Sequence, residues 1–288
     1  MDEKRKKKKK NILFNTIFAL IFLIGLAILL YPVVSNYLFY RKTTDIVSTY
    51  ENEIKQISDK QKDEKIRQAQ AYNQAISNFN VNDPFTKEEK EEGLKSYAHM
   101  LEVKEKIGHV EIPEIGQDLP IFAGTSEQVL QKGVGHMEAT SLPVGGENTH
   151  SVLTAHRGLP KAKLFTDLDK LKKGDIFLVH NLRDTLAYEV FEIQTIEPTD
   201  IKKLEIREGE ELCTLLTCTP YMVNTHRLIV TGKRVPYNKK VDQAKKNTKS
   251  QFNWKFYAII FIAVLFVILL IRFFLKKRKK QKIENTKV

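Results

Sequence analysis

Residues 211–235 read ELCTLLTCTPYMVNTHRLIVTGKRV, two apolar segments separated by a turn. Aliphatic and β-branched residues fill both segments and Thr-Pro-Tyr interrupts them, which predicts two short strands joined by a loop. If the strands are neighbours, Arg227 falls near Cys218, because adjacent strands lie about 4.8 Å apart. Cys218 ends its strand beside the loop, a position that favours exposure. The alternative is a cysteine that packs as a small buried hydrophobe.

A second cysteine, Cys213, precedes Cys218 by five positions. An odd separation on one strand puts two side chains on opposite faces, so we expect no disulfide between them. We interpret Cys213 as a packing residue. A guanidinium beside Cys218 would favour the thiolate or donate hydrogen bonds to an oxyanion, which is the chemistry of a cysteine nucleophile.

The region of about 106–236 consists of short β-branched and aromatic segments separated by Gly, Pro, Asn and Asp. This pattern is typical of an antiparallel β-sandwich or barrel. One short helix is predicted within it, in KAKLFTDLDKLKKGD at 161–175. The preceding residues 41–80 are polar with sparse apolar positions, which predicts one or two solvated helices.

A cysteine nucleophile needs a general acid and base, normally histidine. Of the seven histidines, His156 ends the predicted strand SVLTAH and is followed by the loop RGLP, so its placement matches that of Cys218. A structural histidine is the alternative at such a position. The sequence lacks the spaced Cys and His ligands of zinc sites, and we expect neither a metal nor another cofactor.

Positive charge lies at the two ends of the chain, beside apolar runs. Residues 1–10 hold seven basic and two acidic residues, and residues 272–288 hold eight basic and one acidic, which accounts for the formal net charge of +12. No charged residue occurs between Lys10 and Arg41, and a second apolar run covers 256–275. A bilayer-spanning helix needs about 20 apolar residues, and basic flanks at the outer ends of both runs predict cytoplasmic termini.

Three other interpretations of the apolar runs and the basic tails fit the sequence less well. A cleaved signal peptide has a shorter apolar stretch and a small-residue cleavage site, which the first run lacks. A buried core helix would be shorter or amphipathic. A nucleic-acid binder carries its basic patch on the folded domain rather than in tails, so we expect no nucleic-acid partner.

With these residues placed, the chain resembles the sortases, membrane-bound cysteine transpeptidases of Gram-positive bacteria. TLLTC at 214–218, LTAHRG at 153–158 and TPYMVNTHRL at 219–228 resemble the segments that carry their catalytic cysteine, histidine and arginine. The stretch 140–175 and the C-terminal apolar run are similar to the pilus-specific class C. DPF at 83–85 resembles the lid of that class.

The resemblance implies a sortase-type eight-stranded β-barrel. Together with the helices and apolar runs described above, the expected fold is mainly β, with N-terminal helices and two flanking transmembrane helices. It implies that Cys218, His156 and Arg227 are catalytic. The lid residues it implies are Asp83, Pro84 and Phe85, whereas a simple turn before a helix cap at Thr86 is the alternative. The substrate contacts it implies are Thr217, Ala155, Met222 and Asn224. Met222 and Ala155 both stand where the family pattern favours glycine.

The sequence is accordingly divided into seven segments. These are a cytoplasmic basic tail (1–10), a transmembrane helix (11–39), an extracellular helical region with the lid near 80–87 (40–105), the catalytic barrel (106–236), a juxtamembrane linker (237–255), a second transmembrane helix (256–275) and a cytoplasmic basic tail (276–288).

The resemblance implies cleavage of an LPxTG-like sorting signal through a Cys thioester, and transfer to a lysine amine of another pilin by an isopeptide bond. The expected partners are pilin or surface-protein precursors with such signals, the acceptor pilin and the lipid bilayer. The expected location is the Gram-positive cell membrane, with two passes and an external catalytic domain. A housekeeping-type sortase that attaches proteins to peptidoglycan is the nearest alternative, and a non-catalytic membrane scaffold is a second.

Overall fold

Two N-terminal helices precede a barrel of eight strands. The computed structural model describes residues 2–76 and 101–237, together with positions 258, 265, 266 and 272. The long helices are α1 (Asp2–Lys55) and α2 (Asp59–Ala75), and a short α3 covers Glu127–Leu130. The strands are β1 (Lys106–Ile112), β2 (Gln117–Ala123), β3 (Val134–His136), β4 (Thr149–Thr154), β5 (Ile176–His180), β6 (Thr185–Ile196), β7 (Glu211–Thr219) and β8 (His226–Val235).

The strands close in the order β1-β2-β3-β4-β7-β8-β6-β5, which confirms the predicted eight-stranded barrel. Six of the eight neighbouring pairs are antiparallel, as expected, whereas β2 pairs with β3 and β4 pairs with β7 in parallel. Parallel neighbours need a crossover connection rather than a tight turn. The connection from β2 to β3 contains α3, and that from β4 to β7 contains β5 and β6.

The helix predicted at 161–175 is a single 3₁₀ turn at Leu168–Lys170. Leu164 has a φ of 42°, in the left-handed region that a right-handed helix cannot contain. The side chains of Leu164 and Phe165 are buried in the main core. Packing into the barrel therefore overrides the helical spacing of this segment.

Helix α1 continues without a break from the first apolar run to Lys55, so it crosses the predicted segment boundary at 39/40. Within the described residues, α1 is the one helix long and apolar enough to cross a membrane. Its C-terminal part packs on the barrel, where Val47 and Tyr50 are buried. The carboxylate of Glu53 forms ion pairs with Lys104 and Lys106 at 3.0 and 3.3 Å.

Helix α2 begins with a capping box and is tied to the barrel near its end. The Ser58 side chain accepts from the backbone N–H of Gln61, whose own side chain accepts from the N–H of Ser58. The buried amide of Asn73 donates to the carbonyl of Leu142 at 3.0 Å and accepts from its N–H at 2.7 Å. The predicted lid at 83–85 and the Thr86 cap lie outside the described residues.

The α1–barrel contact generates a stability prediction. The hydroxyl of Tyr50 is buried with no hydrogen-bond partner among the described residues, whereas the Tyr188 hydroxyl donates to Glu211 at 3.2 Å. We expect Tyr50→Phe to raise the free energy of unfolding by about 1 kcal/mol, because it removes a buried unsatisfied polar group. A change of that size raises the Tm by about 2–4 °C in a domain of this size, measurable on the full chain in detergent micelles.

Tyr188→Phe is the matched control, because the same substitution there removes a bonded hydroxyl. It should lower the Tm. A fall in Tm for Tyr50→Phe as large as that for Tyr188→Phe would contradict the assignment of an unsatisfied Tyr50 hydroxyl.

Candidate active site

The position of His156 follows from the parallel pairing of β4 with β7. The register pairs Thr154 with Leu216 at the end of β4. Two hydrogen bonds extend this register beyond the strand: Ala155 N–H donates to the Leu216 carbonyl at 3.2 Å, and the Thr217 hydroxyl donates to the Ala155 carbonyl at 2.7 Å. If the register continues by one more residue along each segment, His156 lies opposite Cys218.

Arg227 lies on the other side of Cys218. The antiparallel register of β7 and β8 pairs these two residues directly, and cross-strand partners present their side chains on the same face. Since β4, β7 and β8 are successive strands about 4.8 Å apart, we infer from the continued register that His156, Cys218 and Arg227 form one row across them. We refer to these three residues as the His-Cys-Arg row.

The two cysteines lie on opposite faces of β7, as their spacing predicts. Cys213 belongs to the main core with Leu215 and Val230, and burial raises the pKa of its thiol well above the usual value, with a further contribution from the charge of Glu211. Cys218 shares the other face of the strand with Leu216, which packs in a second apolar cluster. Neither cysteine forms a disulfide. Cys218 is only 6% exposed, so the expectation that its place at the strand end leaves it exposed was wrong.

The guanidinium of Arg227 is anchored by backbone carbonyls. Its Nη1 donates to the carbonyls of Asn224 and His226, each at 3.1 Å. Asn224 has a φ of 62°, so the loop turns its carbonyl toward the guanidinium in a conformation that Asn tolerates better than most residues. Asn224 is therefore placed to position Arg227.

Thr217 and Ala155, for which the resemblance implies substrate contact, lie beside the row at the ends of β7 and β4. Both side chains are fully buried, and the bond between them joins the ends of β4 and β7. The geometry supports a positioning role for this pair, since neither side chain reaches the surface.

Arg157 fixes the loop that follows His156, and sequence reasoning did not single it out. Its guanidinium donates to the Thr219 hydroxyl at 2.9 Å and to the Thr166 carbonyl at 3.3 Å, and it forms an ion pair with Asp169 at 2.7 Å. The Arg157 side chain is only 7% exposed. It therefore ties the His156 loop to the end of β7. The sequence signal that could have identified Arg157 is its position directly after His156.

Glu127, at the start of α3, was also missed. Its Oε2 lies 3.2 Å from Nε2 of His156, and the Glu127 side chain is 68% exposed. A carboxylate at that distance orients the ring and stabilises an imidazolium when one forms. No local sequence pattern links the two, because they are 29 residues apart.

The remaining buried histidines have structural partners. Burial lowers the pKa of His136 and His150 to about 4, so both stay neutral at neutral pH. His136 contacts the Ser141 carbonyl, and His150 bridges the Glu205 carbonyl and the Thr214 hydroxyl. Beneath α1, the rings of His109 and His180 are stacked with their centroids 4.1 Å apart.

The loop from Pro220 to Thr225 joins β7 to β8 and borders the row. Met222 has a φ of 67°, which explains why glycine suits this position in the family pattern. A Cβ added at Gly158 would come within 3.0 Å of the Tyr221 ring, so this loop is packed closely against the segment that follows His156. Tyr221 and Met222 are exposed.

A thiol, an imidazole and a guanidinium at the neighbouring ends of β7, β4 and β8 form the set that acyl transfer through a thioester requires: nucleophile, proton carrier and oxyanion donor. Within residues 2–76 and 101–237, no group of three or more His, Cys, Asp and Glu side chains is arranged to hold a metal ion.

The barrel is similar to known proteins over nearly its whole length. A family model described as Sortase domain matches residues 110–235. Sortase D of Bacillus subtilis (strain 168) is 31% identical over 153 residues, which cover 52% of this chain and 74% of that protein.

Solved structures of Sortase C enzymes match at higher identity. Sortase C of Streptococcus pneumoniae is 52% identical with a TM-score of 0.63, and the match covers 67% of this chain and 97% of that one. The pilus-related Sortase C of Group B Streptococcus is 49% identical with a TM-score of 0.63, over 65% of this chain and 96% of that one. Pilus Island 1 Sortase C2 of Group B Streptococcus is 57% identical with a TM-score of 0.59, over 62% of this chain and 100% of that one.

Identity at this level extends over nearly the full length of several Sortase C chains, and the residues matched by the family model include β4, β7 and β8. The protein belongs to the sortase family, the cysteine transpeptidases of Gram-positive cell surfaces.

Proposed function

We propose that this sortase polymerises pilins. It cleaves an LPxTG-like sorting signal after threonine and joins the threonine carbonyl to a lysine amine of another pilin subunit. The observation that carries the pilin assignment is the 49% identity to a pilus-related Sortase C across 96% of that chain. The partners in this proposal are pilin or surface-protein precursors and the acceptor pilin.

In the proposed first step, the Cys218 thiolate attacks the carbonyl carbon of the signal threonine. The C–N bond to glycine then breaks, and His156 as imidazolium gives its proton to the departing amine. Arg227 donates hydrogen bonds to the oxyanion of the tetrahedral intermediate. The register that aligns the three residues, and the two carbonyls that hold the guanidinium, support these roles.

In the proposed second step, the lysine amine attacks the thioester carbonyl, and His156 now accepts a proton from the attacking nitrogen. The C–S bond breaks, the Cys218 thiolate is regenerated and an isopeptide bond remains. The neighbouring Glu127 carboxylate supports the imidazolium in both steps.

We also propose a two-pass topology with both termini in the cytoplasm and the barrel outside the Gram-positive cell membrane. In addition to α1, the four described positions of the second apolar run are helical, and the Phe266 ring lies 5.6 Å from that of Phe22 in α1. Two paired apolar helices would hold the enzyme beside substrates that are themselves anchored in the membrane.

For the segment at 83–85 we propose the lid role. Phe85 would fill the apolar substrate groove, and the Asp83 carboxylate would compete with substrate for Arg227. The match of DPF to the lid of pilus-specific sortases supports this assignment.

The two cysteines provide the first functional prediction. We expect Cys218→Ala to reduce polymer formation roughly 10³-fold or more, because it removes the nucleophile. Cys213→Ala is the matched control and should leave most activity. Polymer formation is measured with purified pilin substrate. Activity that survives Cys218→Ala would refute the mechanism.

The pKa of Cys213 adds a chemical check. Because burial raises its pKa, the Cys213 thiol stays protonated between pH 6 and 9 while the protein is folded. We therefore expect iodoacetamide to label Cys218 alone in that range. Peptide mapping of the labelled protein by mass spectrometry makes this distinction, and equal labelling of both cysteines would contradict it.

The lid prediction uses the same thiol probe. Asp83→Ala or Phe85→Ala should raise the labelling rate of Cys218, because either change loosens the cover over the row. Asp59→Ala, which removes an exposed carboxylate from α2, is the control and should leave the rate unchanged. Equal rates in all variants would remove the lid assignment.

A competition experiment separates pilin polymerisation from attachment to peptidoglycan. The full chain is given a sorting-signal substrate together with a lysine-bearing pilin and a peptidoglycan cross-bridge peptide. We expect pilin isopeptide as the main product by mass spectrometry. A predominance of the cross-bridge adduct would favour the housekeeping alternative, and the absence of any acyl transfer would favour a scaffold.

A further inference from the structure

The contacts along α1 define which end of the barrel lies nearest the first apolar run. The first of these contacts are with the segment that follows His156: Ser35 Oγ donates to the Lys161 carbonyl at 3.5 Å, and Asn36 Oδ1 accepts from the Lys163 N–H at 3.0 Å. At the other end, Glu53 pairs with Lys104 and Lys106. Glu53 follows Asn36 by seventeen positions, about 26 Å of helix at about 1.5 Å per residue.

The length of the apolar run sets the height of Asn36 in a bilayer. The uncharged run from Asn11 to Tyr40 contains 30 residues, about 45 Å of helix. A bilayer measures about 40–45 Å with its headgroups, and about 30 Å without them. If the run crosses the bilayer as proposed above, Ser35 and Asn36 lie in the outer headgroup layer. Lys161 and Lys163 then lie at that level too.

The loop between β7 and β8 is at the same end of the barrel, because Gly158 packs against Tyr221 and Met222. Its tip exposes three consecutive apolar side chains: Tyr221 is 50%, Met222 is 68% and Val223 is 63% exposed. Between residues 101 and 237, Tyr237 is the one other large hydrophobic side chain that is exposed. We call residues 221–223 the apolar tip.

The charges around this end are compatible with a lipid surface. Lys161 is exposed and forms no ion pair with any described residue. The nearby carboxylates are compensated: Asp167 pairs with Lys163 and Lys170, and Asp169 pairs with Arg157. An exposed lysine beside an apolar loop with a tyrosine is the composition that favours the interface of an anionic membrane.

We propose that the apolar tip docks into the outer headgroup layer of the membrane, with Lys161 against anionic lipid headgroups, so that the end of the barrel carrying the row faces the bilayer. This inference rests on the proposed membrane span of α1. It gives the exposed tip a partner and orients the row toward membrane-held substrates.

The experiment measures the depth of the tip in vesicles. The full chain contains one tryptophan, Trp254, which is changed to phenylalanine in all variants. Val223→Trp then reports on the tip, and Glu208→Trp reports on an exposed position just before β7, at the end of that strand opposite to Cys218. Vesicles contain phosphatidylglycerol and phosphatidylcholine, the latter brominated near the top of its acyl chains.

We expect brominated lipid to quench the Val223→Trp emission at least about twofold more than the Glu208→Trp emission, because only the tip reaches the acyl-chain boundary. Lys161→Glu in the Val223→Trp protein should reduce that difference. Equal quenching in the two reporters, with both proteins floating with the vesicles, would overturn the docking surface and leave the membrane span intact.

The same vesicle samples distinguish two further outcomes. Failure of the proteins to float with vesicles would overturn both the membrane span and the docking surface. A response of the Val223→Trp emission to an LPxTG-like peptide in micelles, without quenching by brominated lipid in vesicles, would overturn lipid docking and make the tip a substrate surface.

Discussion

The parallel pairing of β4 with β7 is the constraint on which the site depends. Neither strand is adjacent to the other in the chain, and the hydrogen bonds of Ala155 and Thr217 continue their register to the point where both strands end. A slip of one residue would move Cys218 to the opposite face of the sheet, since side chains alternate along a strand. The same slip would break its alignment with His156.

Strand alternation also separates the two thiols by environment. Cys213 points into the core, where desolvation disfavours its thiolate. Cys218 lies on the other face beside an arginine whose guanidinium is held by two backbone carbonyls. One short strand thus provides a packing residue and the proposed nucleophile five positions apart, without any difference in their intrinsic chemistry.

The features that depend on local sequence pattern could be predicted from the sequence. The β region was predicted to begin at 106 and end near 236, and the strands begin at Lys106 and end at Val235. The nearness of Cys218 and Arg227 followed from a short loop between two strands. The parallel register of β4 and β7 had no local signal, because it joins segments about 60 residues apart. The left-handed Leu164 and the network of Arg157 depend on tertiary packing in the same way.

The central claim is that Cys218 carries the acyl group during transfer. Intact-mass spectrometry of the full chain, incubated with an LPxTG-like peptide and no acceptor amine, tests it most directly. We predict a mass increase equal to the peptide fragment ending at threonine less one water, located on Cys218 by peptide mapping and removed by hydroxylamine. An acyl fragment on any other residue, or product formation from a Cys218→Ser protein at the parent rate, would contradict it.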